Sequence, residues 1–149
     1  MRAVVQRVAR ALVTVDGAVV GSIGQGFLVL LGVRTDDEAA DVRYIASKIA
    51  GLRLFEDASG RMNRGLGDVG GRVLLVSQFT LYGDCRKGRR PSFDEAAPAS
   101  LARVRYDEVV QALRAAALDV ETGTFRAAMQ VESVNDGPVT VLLDSSRVL

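Results

Sequence analysis

The residues best suited to chemistry lie where an apolar run, Arg72-Val73-Leu74-Leu75-Val76, gives way to Ser77-Gln78-Phe79-Thr80-Leu81. A buried strand that ends in this way brings two hydroxyls, a carboxamide and an aromatic ring to the surface, where sites are built. On these residues alone, polar groups that merely cap a strand fit equally well. A second string, Asn135-Asp136-Gly137-Pro138-Val139-Thr140, suits an ordinary β-turn. It also holds a Gly-Pro bond, one of the few that adopt the cis form at low cost, which would aim two carbonyls where they could hold an ammonium group. A third feature crowds Arg86, Lys87, Arg89 and Arg90 into five residues. That loop is either a solvated connection or a grip for phosphates that fixes a polyanion without reading its sequence.

Composition narrows the chemistry further. The 149 residues include no histidine, which removes Ser-His and Cys-His catalysis and any Cys/His cluster for a structural zinc. Proton transfer near neutral pH is left to a shifted carboxylate, a lysine, water or the substrate itself. The single cysteine, Cys85, rules out an intramolecular disulfide framework. It sits beside a basic neighbour that could lower its pKa, but with no base to work with a nucleophilic role is not expected. The net charge of +1 carries no argument for nucleic acid, so any such argument rests on the local patch.

The elements that must position these residues follow from periodicity. Residues 4–8, 11–15 and 18–23 are rich in β-branched side chains, and Asp16-Gly17 between two of these runs is a two-residue hairpin signal. Residues 27–33 are apolar on both faces, as in a central buried strand. Thr35, three residues before Glu38, has the spacing of a capping box for a helix whose buried face is Val42, Ile45, Ala46, Ile49 and Leu52. A short strand at 52–55, a turn at 57–60 and a glycine-rich loop at 62–71 precede the apolar strand. Pro98 opens a second helix with Ala102, Tyr106, Val109, Val110, Leu113 and Ala117 on its inner face. Strands at 120–122, 125–134 and 139–143 close the chain.

Two helices cover only one sheet, so the expected fold is α/β, with two packed, mainly antiparallel sheets, barrel-like, and both helices on one side. At this length, with 48% apolar residues, a single domain over residues 1–149 is expected. The first residues read as a strand rather than a signal peptide, and no apolar run reaches the roughly 20 residues of a membrane span, so a cytoplasmic protein with no membrane partner is expected.

With these motifs in hand, the sequence resembles the D-aminoacyl-tRNA deacylases, also called D-tyrosyl-tRNA deacylases. The likeness runs from Met1-Arg2-Ala3-Val4-Val5-Gln6-Arg7-Val8 through residues 26–32, Met62-Asn63 and Val76-Ser77-Gln78-Phe79-Thr80-Leu81. It continues in Lys87-Gly88-Arg89-Arg90-Pro91-Ser92-Phe93, Met129-Gln130-Val131 and residues 135–140. The departures are Gly83 where alanine is usual, Arg126 where glycine is common, and an atypical loop at 64–67.

The resemblance implies a homodimer with active sites at the subunit interface, where Ser77, Gln78, Phe79 and Thr80 of one subunit face the Gly137-Pro138 turn of the other. It implies a cis bond at that turn, whose carbonyls capture the α-amino group of the aminoacyl moiety and whose bulk excludes an L-side chain while admitting D-amino acids and glycine. The implied reaction is hydrolysis of the ester between a D-amino acid and the terminal adenosine of tRNA, without cofactor or metal. Gln78 is expected to position substrate, Ser77 to support the loop, and backbone N–H groups around Phe79 and Thr80 to stabilise the oxyanion. Gly137, Pro138, Asn135 and Arg7 are the expected substrate-binding residues. Arg7 is expected either to buttress the turn or to be an ordinary surface charge. Arg86, Lys87, Arg89 and Arg90 are the expected tRNA contacts. The competing expectation is a non-catalytic dimeric tRNA-binding protein, with a small-molecule esterase or amidase as a third.

Overall fold

A computed structural model describes residues 1–149. Eight strands and three helices follow one another as β1 (Arg2–Val15), β2 (Ala18–Ile23), β3 (Gly26–Gly32), α1 (Ala39–Gly51), β4 (Phe55–Glu56), β5 (Met62–Arg64), α2 (Leu66–Val69), β6 (Arg72–Ser77), α3 (Ala99–Ala115), β7 (Val120–Thr122) and β8 (Gln130–Asp144). A 3-10 turn, Phe79–Tyr82, follows β6 directly.

The main sheet has six strands in the order β2-β1-β3-β6-β7, with β8 on the other side of β1. Pairings of β1 with β2, β3 and β8 are antiparallel, whereas β3 with β6 and β6 with β7 are parallel. Each parallel neighbour needs a crossover, and α1 and α3 lie in the two crossovers. β2 packs back beside β6 and β7, so the sheet curls into a nearly closed barrel. The expected second sheet is small, the two-stranded β4-β5 ribbon.

Asp16-Gly17 makes the anticipated hairpin, with φ of 49° and 78°. The two runs at 4–8 and 11–15 merge into the single strand β1, long enough to pair with β3 along its first half and β2 along its second. The capping box forms three residues later than expected. Asp37 accepts the Arg34 N–H at 2.6 Å, which makes residues 34–37 a turn, and α1 begins beyond it with the Glu38 N–H donated to the Asp41 carboxylate at 2.8 Å. Leu52 falls just past the helix but still packs on the core. The loop expected at 62–71 contains β5 and the one-turn α2.

Apolar side chains divide into two clusters. The larger lies between the sheet and helices α1 and α3, and includes Phe27, Ile45, Ile49, Leu75, Val109 and Leu113. The smaller fills the inside of the curl with Val8, Val13, Leu28, Leu74 and Val76 at its centre. β6 serves both: Val73 and Leu75 face the helices, Leu74 and Val76 face the inside. That explains its unbroken apolar run, since a parallel strand buried on both faces has no polar side. Tyr106 of α3 locks the strand further by donating its hydroxyl to the Leu75 carbonyl at 2.7 Å.

Candidate active site

β6 ends where Gln78 donates its N–H to the Leu31 carbonyl at 2.7 Å, the last bond to β3. The chain then tightens into the 3-10 turn, closed by Leu81 N–H to Gln78 at 3.3 Å and Gly83 N–H to Thr80 at 2.9 Å. The first N–H groups of such a turn, those of Phe79 and Thr80, have no acceptor within it. The Gln78 carboxamide donates to the Thr80 hydroxyl at 3.2 Å.

The turn is seated from below. Gly32 permits this, because a side-chain carbon there would meet Leu81 at 3.0 Å and the Gln78 carbonyl at 3.1 Å. Arg2 donates to the Leu81 carbonyl at 3.2 Å, lies over the Tyr82 ring at 4.7 Å, and is held by Asp144 at 3.0 Å. Burial, with Asp37 and Asp144 nearby, pushes the Tyr82 phenol well above its ordinary pKa, so the ring stays neutral. On the outer side Phe79 is 54% exposed and meets Phe93 edge-on at 5.0 Å.

Above the turn lies a cavity of about 640 Å³. Residues 76–80 form one wall, Ala97, Ala99 and Ala102 at the start of α3 line it further, and the segment from Phe125 to Val131 forms a second wall. This is the size of a small-ligand site, mostly apolar with a few polar groups. Its polar members are Ser77, Gln78, Thr80 and Arg126, with no histidine, carboxylate or lysine among the lining side chains. The cavity therefore offers donors and shape rather than a general base.

The second wall was not legible as a site. A strand was expected over 125–134, but β8 starts only at Gln130. Arg126 stands at φ 65°, and Ala127 donates to the Thr124 carbonyl at 3.1 Å, so this stretch is a turn that folds over the cavity. The signal in the sequence is the Ala127-Ala128 pair, which interrupts the β-branched pattern.

Residues 135–140 do not line this cavity. They lie within β8, where the ladder with β1 is interrupted: Gln6 pairs with Thr140 and Val8 with Asn135, so Arg7 alone faces residues 136–139. That excursion contains the cis Gly137-Pro138 bond. Asn135 closes its base, accepting the Val139 N–H at 3.1 Å and donating to the Thr140 hydroxyl at 3.2 Å. Arg7 is buried and holds it from within, donating to the Asp136 carbonyl at 3.0 Å and the Leu54 carbonyl at 2.7 Å. Gly137 has φ 132°, and a side-chain carbon there would meet Val139 at 2.8 Å and the Arg7 guanidinium at 3.0 Å. Pro138 is exposed.

In the basic loop, Arg86 is already engaged by Asp84 through two side-chain bonds of 2.6 and 2.9 Å. The Arg86 hydrogen bond pulls the Asp84 carboxyl down to about 2. Lys87, Arg89 and Arg90 are exposed, so three of the four expected cations stand without a carboxylate partner. Cys85 is exposed and free. No group of three or more carboxylate or thiol side chains is gathered as a metal site, and no helix is long and apolar enough to cross a membrane.

Comparison with known proteins bears on this geometry. The chain is 63% identical over 148 residues to a D-aminoacyl-tRNA deacylase of Anaeromyxobacter dehalogenans, covering 99% of each chain. It is 60% identical over 147 residues to one of Desulfitobacterium hafniense, again covering 99% of each. Among solved structures, the c-Myc DNA Unwinding Element Binding Protein superimposes with a TM-score of 0.90 at 42% identity, over 97% of this chain and 98% of that one. A probable eukaryotic D-amino acid tRNA deacylase shares the fold, with a TM-score of 0.82 at 18% identity over 95% and 97% of the two chains. The D-Tyr-tRNA(Tyr) deacylase family profile matches residues 4–144, and with relatives this similar over the whole length the chain belongs to that family.

Proposed function

We propose that this protein hydrolyses the ester linking a D-amino acid to the terminal adenosine of tRNA, releasing the free amino acid and reusable tRNA. The observation that carries this is the cavity on Ser77, Gln78, Phe79 and Thr80, large enough for a nucleoside and free of any titratable base, in a chain so close to named deacylases. An aminoacyl ester is already activated, so hydrolysis requires only modest help. Water adds to the carbonyl carbon and passes one proton to the substrate's own 2′-hydroxyl, which hands its own proton on to the ribose 3′-oxygen. The N–H groups of Phe79 and Thr80 receive the developing oxyanion, an interaction worth roughly 10²- to 10³-fold. Collapse breaks the bond to the 3′-oxygen, which leaves as a hydroxyl with the relayed proton, and the amino acid departs as its carboxylic acid, whose remaining proton goes to solvent to leave the carboxylate.

Chiral selection belongs to the Gly137-Pro138 turn of a second copy, in a homodimer whose two sites lie at the subunit interface. Backbone carbonyls of the turn take the α-ammonium group, and its bulk leaves no room for an L-side chain. Glycine, with no side chain to exclude, is also accepted. A main-chain wall is indifferent to which D-side chain points away from it, so selection works by excluding L rather than by gaining affinity for D. Asn135 and Arg7 support this reading, because both hold the excursion in shape. Lys87, Arg89 and Arg90 hold the tRNA backbone, with Arg86 contributing less while paired.

Release of D-tyrosine from charged tRNA is the test. The enzyme predicts turnover with D-tyrosyl-tRNA and little with L-tyrosyl-tRNA; a rate no faster than in buffer rejects it. A non-catalytic tRNA-binding protein is the other reading that the exposed cations favour, and it predicts salt-dependent binding without release.

A further inference from the structure

We infer that Arg126 is a phosphate clamp that makes the cavity prefer aminoacylated RNA over a free aminoacyl nucleoside; this rests on the deacylase reading. Arg126 lines the cavity on the wall away from the Ser77 to Thr80 stretch, and it is exposed. Its φ of 65° belongs to the turn and is a conformation that residues with a β-carbon adopt at a cost, so the arginine is carried there on a fixed backbone where glycine would be easier. The guanidinium makes no ion pair, in contrast to nearby Arg103, which lies over the Phe125 ring at 5.4 Å but is paired with Asp107 at 3.4 Å. Arg126 is therefore the uncompensated cation of this wall.

The chemistry that it meets follows from the substrate. With the reacting ester at the Ser77 to Thr80 wall and the adenosine filling the cavity, the next charged group is the phosphodiester that joins the terminal adenosine to the preceding nucleotide. An arginine fork suits two phosphate oxygens, and no base-specific contact is needed. This site differs from the basic loop in what it reads. The loop can hold phosphates anywhere along the acceptor strand, whereas Arg126 reports whether the adenosine carries a chain at all.

The experiment compares two substrates, D-tyrosyl-tRNA and the D-tyrosyl ester of free adenosine, for the wild type, Arg126→Gly and Arg126→Lys. Glycine suits a φ of 65°, so Arg126→Gly is expected to fold, with a thermal midpoint no lower than that of the wild type. The ratio of kcat/KM on the tRNA to that on the adenosine ester should fall about tenfold in Arg126→Gly, chiefly through KM, and recover in large part in Arg126→Lys. The slope of log KM against log salt for the tRNA should drop by about 0.7, the value for one phosphate of a single strand. An unchanged ratio, or an equal loss on both substrates, overturns the clamp while leaving the deacylase reading intact. A wild type inactive on both substrates overturns the two together.

Discussion

The buried guanidinium of Arg7 donates to the carbonyl oxygen of Asp136 at 3.0 Å and so ties the middle of β1 to the excursion of β8 at residues 136–139. A second bond, to the Leu54 carbonyl at 2.7 Å, fixes the guanidinium from the other side. Arg7→Ala leaves both carbonyls without their charged donor and the Gly137 turn without its support. A stability loss of about 2–4 kcal/mol is expected by urea unfolding. Arg7→Lys, with a point charge in place of a fork, should recover only part of it. If the turn selects chirality, Arg7→Ala also narrows the ratio of D- to L-tyrosyl-tRNA hydrolysis. A fully stable Arg7→Ala protein with an unchanged ratio would show that the turn holds its shape without this residue.

A second ion pair, Arg2 with Asp144, is part-buried and bears on acid stability. Burial alone would raise the Asp144 carboxyl, but hydrogen bonds from Arg2 and the Ser146 N–H, together with nearby positive charge, outweigh it and hold the group below the 3.8 of a free aspartate. A depressed folded pKa contributes stability that is fully present above the unfolded value and is lost as pH falls through the folded one. Thermal midpoints of the wild type should therefore drop as pH descends below about 4. Asp144→Asn should be less stable by about 1–3 kcal/mol at pH 7 and show a flatter acid limb. Parallel curves for the two proteins would remove Asp144 from the acid response. Since Arg2 also holds the Leu81 carbonyl, the same variant reports on how firmly the 3-10 turn is seated.

Features set by nearby residues were legible in the sequence, and features set by pairing were not. The Asp16-Gly17 hairpin is demanded by two positive φ values, and the inner face of α3 from Ala102 to Leu113 is demanded by helical spacing. Ala117, placed on that face by the same spacing, lies beyond the helix end at φ 64°. The barrel curl depends on β2 packing beside β6 and β7, which no local pattern encodes. Likewise, the excursion at 136–139 exists only relative to the register of β1, so the sequence showed a turn but not that Arg7 sits beneath it. The Ser77 to Thr80 wall was visible because a doubly buried strand must end in an abrupt change of polarity. The wall from Phe125 to Val131 was hidden, because its role comes from folding across the cavity rather than from its composition.

The basic loop separates into two electrostatic classes. Lys87, Arg89 and Arg90 are free to meet phosphates, whereas Arg86 must first give up Asp84. Each exposed cation that neutralises a phosphate adds about 0.7 to 0.9 to the salt slope of binding. The Lys87→Ala/Arg89→Ala/Arg90→Ala protein should therefore bind tRNA with a slope smaller by about 2 to 3, and Arg86→Ala should change it little. Filter binding across a salt series measures both. An Arg86→Ala effect as large as that of any neighbour would mean that the Asp84 pair opens on binding.

Thr80 is the residue that most resembles a nucleophile, and its surroundings argue against that role. Its hydroxyl accepts a hydrogen bond from the neutral Gln78 carboxamide at 3.2 Å, a group that cannot take up a proton at working pH. No histidine exists to serve instead, and the cavity offers no carboxylate or lysine. Removing a true serine-type nucleophile costs about 10⁶-fold in kcat. Thr80→Ala should instead lose only about tenfold, because the backbone N–H at residue 80 remains in place and only the side-chain bond to Gln78 is gone. Single-turnover deacylation of D-tyrosyl-tRNA distinguishes the two cases by several orders of magnitude. A loss near 10⁶-fold would require an acyl-enzyme on Thr80 Oγ1, with the substrate's 2′-hydroxyl as its only nearby proton acceptor.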